Sequence, residues 1–395
     1  MSGFGERFRQ AGYTVPKPLI TVDGQPMLAH VLNMFPGATK IIFICNQAHL
    51  DHPSYNMIGI IKAACPTGII VGIPPHKLGP VHAVRQITAL LDPTAPVVVN
   101  YCDFSCYWSW QHFQHFVQHT DCAGAIPAYR GFHPHLLGST NYAYLRETAG
   151  WVTDIQEKQP YTTDRMSEYA SSGTYYFATA ELMTQALAAV VANNRQVGGE
   201  FYVSLAYQEL LIKHYKVAVY PIQHFMQWGT PGDLEEYLTW SRTFRHMIAP
   251  AQHKHMQQRN GTVLITLAGL GQRFANAGYS TPKPLLEVSG RPMVAQATYD
   301  LPPAAQYAFV LRRAISGYPA MLAELQNLYP HASITLLDQV TAGAPCSALA
   351  GLEALRHHGK GVDPLTIAAC DNGTLYNSTN FYALLNNPQV DIRVW

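Results

Sequence analysis

Residues 3–27 read GFGERFRQAGYTVPKPLITVDGQPM, and residues 269–293 read GLGQRFANAGYSTPKPLLEVSGRPM. By direct count 15 of these 25 positions are identical, without a gap, at an offset of 266. Weaker matches follow in the same order. Val97-Val98-Val99 leading to Asp103 corresponds to Leu365-Thr366-Ile367 leading to Asp371, and Gly79-Pro80 to Gly343-Ala344. The period is too long for a solenoid, so the economical reading is two tandem copies of one large domain. Gly232 to His246 is charged and helix-patterned and closes the first copy, residues 1–246. Residues 247–260, with the polar run PAQHKHMQQRN, read as a linker, and residues 261–395 as the second copy.

Short apolar runs (residues 40–45, 69–71 and 97–99) alternate with helix-compatible stretches such as Pro26 to Phe35 and Val81 to Leu91. That alternation predicts an α/β fold with a mixed, mostly parallel sheet covered on both faces. Ligands of such sheets collect beyond the carboxyl ends of the strands. The second copy has a buried-strand run, Gly261 to Leu267, ahead of its glycine loop, whereas only Met1 and Ser2 precede Gly3. Val390-Asp391-Ile392 aligns barely halfway through the first copy. The first copy is therefore expected to lack its first strand, and the second to be an N-terminal half.

Composition narrows the function classes. Charged residues are 13% of the chain, against about 25% in typical domains, and the formal net charge is +1. With no basic arm or stripe, no nucleic-acid partner is expected. No apolar run is long enough to span a bilayer and no signal peptide is seen, so no membrane partner is expected. Seven cysteines, an odd number with no C-x-x-C, and 18 His without H-E-x-x-H give no zinc spacing. A reduced, cytoplasmic chain is the expectation.

The repeated stretch carries chemistry. In Gly3-Phe4-Gly5-Glu6-Arg7 two glycines allow successive backbone N–H groups to point into one concavity suited to phosphate oxygens. Arg7 adds a planar fork of donors. Ten residues on, Lys17 stands between Pro16 and Pro18, which stiffen the backbone that presents it. Two cations and a nest suit a triphosphate. Gly269, Gly271, Arg273 and Lys283 repeat the set. A nicotinamide fingerprint is excluded, because position 8 is Phe8 and no helix is expected there; G-x-x-x-x-G-K-[ST] is absent too. Asp103, at the end of a buried strand, is placed to hold Mg²⁺ against phosphate oxygens, and Asp371 recurs in the second copy.

These motifs resemble the nucleotidyltransferase family that joins a sugar 1-phosphate to a nucleoside triphosphate. The resemblance implies a Rossmann-like, three-layer α/β/α domain and Mg²⁺ as cofactor. It covers essentially the whole first copy. Glu157-Lys158 is similar to the family's E-K segment, and Ser172-Gly173-Thr174-Tyr175-Tyr176-Phe177 to its S-G-x-Y-x-F strand. Gly199-Glu200-Phe201-Tyr202 resembles the acidic sugar-binding motif, and residues 229–234, GTPGDL, the G-T-P-x-D-L turn. The resemblance thus implies that Glu157, Lys158, Gly173 and Glu200 hold the sugar phosphate and that Gly79 belongs to the base-reading loop.

Two departures stand out. Many members carry Asp as second metal ligand two residues before the G-T turn; here Gln227 occupies that place, with Asp233 as the other candidate. The Gln that often precedes the base-reading glycine is absent before Gly79, although Gln339 precedes Gly343. The nucleobase is therefore left open. The implied reaction forms an NDP-sugar and pyrophosphate from a nucleoside triphosphate and a sugar phosphate, for activated-sugar or surface-polysaccharide synthesis, with a homo-oligomer among the expected assemblies. Rival readings are cytidylyl transfer to a polyol phosphate or phosphocholine, a non-catalytic nucleotide-sensing repeat, and an interaction protein.

The aromatic, His-rich stretch Tyr101 to Phe116 is expected to be a helix packed on the sheet. His112, His115 and His119 share a helical face but have no carboxylate or Cys partner. Cys102 and Cys106 are expected to be buried packing residues.

Overall fold

The computed structural model describes all residues except 139–140, 249–258, 316, 361–363, 375, 377 and 393–395. Most of the expected linker lies outside the described residues. The chain divides into two compact units, Met1–Arg245 and His246–Trp395.

In the first unit β1 (Ile42–Asn46), β2 (Ile69–Ile73) and β3 (Val97–Asn100) are the three apolar runs of the sequence. They are followed by β4 (Phe104–Tyr107), β5 (Gly124–Tyr129), β6 (Ala143–Thr148), β7 (Trp151–Glu157), β8 (Tyr169–Ser171), β9 (Thr174–Phe177), β10 (Val217–Pro221) and β11 (His224–Gln227). Seven of these form one sheet in the order β8-β6-β7-β10-β5-β9-β3. β1 and β2 make a separate parallel pair, with Ile42 opposite Ile69, and β4 and β11 an antiparallel one.

Alternation along each strand shows why the large sheet is covered twice. Ile126 and Ala128, with Val217 and Val219, face one core; Ala125 and Tyr129, with Ala218 and Tyr220, face the other. The first core is covered by helix Ala180–Ala192, whose Met183, Ala186, Leu187 and Val190 recur at helical spacing, and by helix Ser204–Ile212. Helix Trp110–Thr120 covers the second through Phe113 and Val117. Three layers result.

The share of parallel pairing differs from the expectation. Within the seven-stranded sheet only β10 and β5 run parallel. The antiparallel pairs arise from short returns. β6 and β7 are joined by Ala149 and Gly150, both at positive φ (51° and 82°), as a two-residue hairpin turn requires. The aromatic stretch is also not one helix: Phe104–Tyr107 is a strand, and the helix begins only at Trp110, capped by the Ser109 hydroxyl, which accepts from His112 N–H at 3.2 Å.

The second unit holds β12 (Arg259–Thr266), β13 (Ala304–Arg312), β14 (Ser333–Leu337) and β15 (Leu365–Ala369) in one wholly parallel sheet, ordered β14-β13-β12-β15. β12 begins two residues before the expected domain start. Val263, Leu264 and Ile265 are all 0% exposed. Val263 and Ile265 pack with Met321 and Leu325 of helix Tyr318–Leu328, and Leu264 with Ala348 and Leu355 of helix Ala344–His357.

Candidate active site

Gly5 caps a one-turn helix, Glu6–Gln10, in the left-handed region (φ 63°, ψ 31°) that glycine enters without a Cβ penalty. Gly271 does the same for Gln272–Asn276 (φ 63°, ψ 20°). This corrects the expectation that no helix begins there: the turn is short and set by the glycine, and Phe8 anchors it in the core at 1% exposed. Gly3 and Gly269 lie on the two loops, Arg7 and Arg273 in the short helices that follow, and Arg7 is exposed.

Lys17 and Asp103, 86 residues apart, meet. Lys17 Nζ donates to Asp103 Oδ2 at 3.1 Å and to the Gly229 carbonyl at 2.9 Å, and lies 5.3 Å from the Phe8 ring centre. The pair is 23% and 25% exposed, so it faces solvent from a partly desolvated position. Asp103 is held by the backbone: its carbonyl accepts from Trp228 N–H at 2.9 Å. Gln227 adjoins it. A Cβ built on Gly229 would lie 2.5 Å from the Gln227 amide nitrogen and 3.5 Å from Asp103 Oδ2.

Asp233 is engaged elsewhere. Its Oδ2 accepts from Thr230 N–H (3.1 Å) and Thr230 Oγ1 (2.7 Å), while its own N–H donates to Thr230 Oγ1 at 3.2 Å. This reciprocal pattern caps helix Pro231–Ile248. Asp233 thus serves the helix start, which removes it as the substitute for Gln227.

The expected sugar-phosphate residues gather as a second cluster. Lys158 donates to the Tyr202 hydroxyl, lies 4.3 Å from that ring's centre and 4.0 Å from Glu200 Oε2. Tyr202 donates to Glu200. Lys158 has φ 59°, a strained value for a side-chain-bearing residue, of the kind that collects at functional sites. Glu157 Oε2 accepts from Ser204 Oγ at 2.5 Å. Burial pushes its carboxyl up to about 7, against the opposing effects of the Ser204 bond and Lys158. Tyr202 and Ser204 were missed from the sequence. Tyr202 had a signal, since it lies two residues beyond Glu200; Ser204 had none.

Burial and the Glu200 carboxylate push the Tyr202 phenol well up, and the nearby Arg7 guanidinium opposes them. Gly79 (φ 84°) presses on residues 200–201, where an added Cβ would come within 2.7 Å of the Phe201 backbone. Glu6 pairs with Lys77 at 2.8 Å. Gly173 (φ 91°) packs against Tyr101 and Phe104, 3.1 and 3.2 Å from where its Cβ would be.

In the second unit Lys283 pairs with Asp371 and lies 5.5 Å from the Phe274 ring centre, as Lys17 does with Phe8. Gly343 caps helix Ala344–His357 at φ 139°.

The remaining candidates have other partners. Burial pushes the Cys106 thiol up to about 12 and raises Cys102 as well. His112 bonds the Tyr220 hydroxyl at 2.8 Å, and His115 stacks on His119. Among the described residues no three His, Cys, Asp or Glu side chains gather as a metal cluster. A divalent ion would depend on Asp103, the Gln227 amide oxygen and oxygens of a ligand, a hard-donor set that suits Mg²⁺. No helix among the described residues is long and apolar enough to cross a membrane.

Residues 1–163 match the model of the MobA-like NTP transferase domain. The chain is 26% identical over 253 residues to the "Bifunctional protein GlmU" of Paraburkholderia phytofirmans, covering 63% of this chain and 52% of that protein. It is 27% identical over 232 residues to the protein of the same name from Paraburkholderia xenovorans, covering 58% and 47%. The chain therefore spans about half the length of the curated relatives it matches. Among solved structures, the nucleoside-diphosphate-sugar pyrophosphorylase of Vibrio cholerae RC9 aligns with TM-score 0.50 and 22% identity, over 60% of this chain and 98% of that one. That likeness speaks to the fold alone. The glycine loop, Lys17, Asp103, Glu157 and Lys158 all fall inside the residues that match the MobA-like NTP transferase domain.

Proposed function

We propose that the first unit transfers a nucleotidyl group from a nucleoside triphosphate to a sugar 1-phosphate. The observation that carries this reading is the meeting of Lys17 and Asp103 at Gly229, in the same unit as the Lys158–Tyr202–Glu200 cluster. An acceptor phosphate oxygen attacks the α-phosphorus, and the bond to the β,γ-pyrophosphate breaks. A phosphate monoester is already an anionic nucleophile, so the protein's task is positioning and charge neutralisation. The Gly3–Gly5 amides and Arg7 take the β- and γ-phosphates, and Lys17 meets the charge developing on the α-phosphoryl group. Lys158 holds the acceptor phosphate, and Glu157, Glu200 and Gly173 line its sugar. Asp103 and Gln227 would hold Mg²⁺, which when bound neutralises phosphate oxygens.

We also read the two units as tandem copies. Matching registers support this: Ile42 faces Ile69 in β1–β2 as Ala308 faces Ser333 in β13–β14, and the lysine–aspartate pair recurs. The test of the activity is pyrophosphate release from a panel of nucleoside triphosphates with sugar 1-phosphates, polyol phosphates and phosphocholine. Release that depends on a sugar 1-phosphate supports the reading. Tight triphosphate binding without product for any acceptor overturns it.

A further inference from the structure

Helices Ala180–Ala192 and Ser204–Ile212 pack on the same core, and residues 193–203 between them carry Glu200 and Tyr202. Connections between packed helices usually run to about 2–8 residues. This longer loop therefore needs fastenings if its side chains are to keep their places. Its end has two: Phe201 N–H donates to the Leu78 carbonyl at 3.0 Å, and Val81 N–H to the Phe201 carbonyl at 3.1 Å. Its middle turns back through Gly198 and Gly199, at φ 61° and 82°, so that Val197 and Glu200 exchange N–H···O bonds of 3.0 and 3.2 Å. At its start Asn194, at φ 48°, closes the first helix. Asn194 N–H donates to the Val191 carbonyl at 3.1 Å and Arg195 N–H to that of Val190 at 2.9 Å.

One side chain of the second helix fastens that start. Glu209 is only 4% exposed. Its two carboxylate oxygens each accept from Asn193 Nδ2 at 3.1 Å, and Oε1 also accepts from Arg195 Nε. A carboxylate at such depth persists where its charge is paired and its lone pairs are bonded. Both partners here belong to the loop. The helix itself is a fixed post, since the Tyr207 hydroxyl donates to the Tyr176 carbonyl and Gln208 Nε2 to that of Ile155, both at 2.6 Å. Its first residue, Ser204, bonds Glu157. Between Arg195 and the Val197–Glu200 turn stands a single residue, Gln196.

We propose that Glu209 is a positioning residue for the acceptor. Through Asn193 and Arg195 it fixes where the loop begins, and so where the Val197–Glu200 turn presents Glu200 to Tyr202 and Lys158. Glu200 hangs between two fastenings, the Glu209 latch before it and the Phe201 backbone bonds after it. Losing the latch frees the turn and leaves Gly79, Lys17 and Asp103 where they are. An ion pair that only joins two helices would instead alter melting and spare acceptor affinity. This inference rests on the reading of Lys158 and Glu200 as acceptor-side groups proposed above, and one of its two measurements needs no turnover.

The full chain carrying Glu209→Leu together with Arg195→Met removes the latch without stranding a buried charge, an exchange that often leaves stability nearly unchanged. Expected is a rise of about tenfold in KM for a sugar 1-phosphate, with kcat and KM for the triphosphate within about twofold. Amide exchange without substrates, followed by mass spectrometry, should quicken about tenfold in residues 196–200 and stay as it was in the two helices. Arg195→Lys keeps the charge and loses the planar fork. It should give the same pattern at about threefold, and it decides the matter if the double variant does not fold. An unchanged acceptor KM overturns the proposal, as do equal rises in both KM values. So does exchange that quickens in the helices as much as in the loop, which would make Glu209 a stabilising partner only. A chain that turns over no sugar 1-phosphate but loosens at 196–200 alone keeps the latch and sinks the reading of the site.

Discussion

The two units hold the same lysine–aspartate pair in different company. Lys17 shares its charge between Asp103 and the carbonyl of Gly229, a residue 212 positions away. Lys283 has Asp371, which is more exposed than Asp103 (34% against 25%). On the proposed reading the polyphosphate half of the site would be built from Gly3, Gly5, Arg7, Lys17 and Asp103. The acceptor half, on that reading, would come from Glu157, Lys158, Gly173 and Glu200 of the first unit.

The sharpest way to break this comparison is to remove the two lysines in turn. Lys17→Ala should lower kcat by roughly 10²–10³, the usual cost of losing one donor at a developing charge. Lys283→Ala should leave sugar-phosphate-dependent pyrophosphate release within about twofold. Equal losses would mean that both units turn over. The aspartates come next. Asp103→Asn should cut turnover about tenfold to a hundredfold and raise the divalent-ion concentration needed for half-maximal rate, because a carboxylate is exchanged for a neutral amide beside Gln227. Asp371→Asn should change neither, as a divalent-ion titration of both variants will show.

What the sequence made legible was the local half of the site. Gly5, Lys17 and Asp103 each announce themselves through the residues beside them: a backbone that needs positive φ, a cation between prolines, a carboxylate ending an apolar run. Their meeting point at Gly229 was not legible, since closeness between residues 212 apart depends on packing. Ser204 was invisible for the same reason. The antiparallel strands were hidden by weak turn chemistry: hairpins of two residues favour Asn-Gly, and Ala149 takes its positive φ without that signal. Asp233 reads as a spare ligand in sequence, yet Thr230 three residues earlier made a capping pair the simpler assignment.

The glycines that precede the helices at Pro80 and Ala344 sharpen the comparison at smaller effect. Gly79 combines φ 84° with a backbone wall 2.7 Å from where its Cβ would be, whereas nothing comes closer to a Cβ on Gly343 than Pro345 Cδ at 3.7 Å. Gly79→Ala should therefore destabilise the first unit by about 2–3 kcal/mol and raise KM, through strain plus displacement of residues 200–201. Gly343→Ala should cost only the backbone strain, about 1 kcal/mol. Urea unfolding of the two variants reads both values.

A pH dependence that arises in the first unit completes the comparison. Burial holds the Glu157 carboxyl at about 7 in the folded chain, above its ordinary 4.5. Between those values the unfolded chain has released the proton and the native state has kept it. Stability contributed by this group is therefore complete below about 4.5, declines as pH rises, and is gone above about 7. The shift bounds the decline at about 1–3 kcal/mol. Glu157→Gln has no proton to lose and should flatten the profile across this window. Five of the six tryptophans, Trp108, Trp110, Trp151, Trp228 and Trp240, lie in the first unit, so fluorescence-detected urea unfolding follows mainly that unit. A wild-type profile that is flat from pH 4.5 to 7.5, or one that rises, would mean that Glu157 is solvated and charged, with Ser204 and Lys158 compensating fully for its burial.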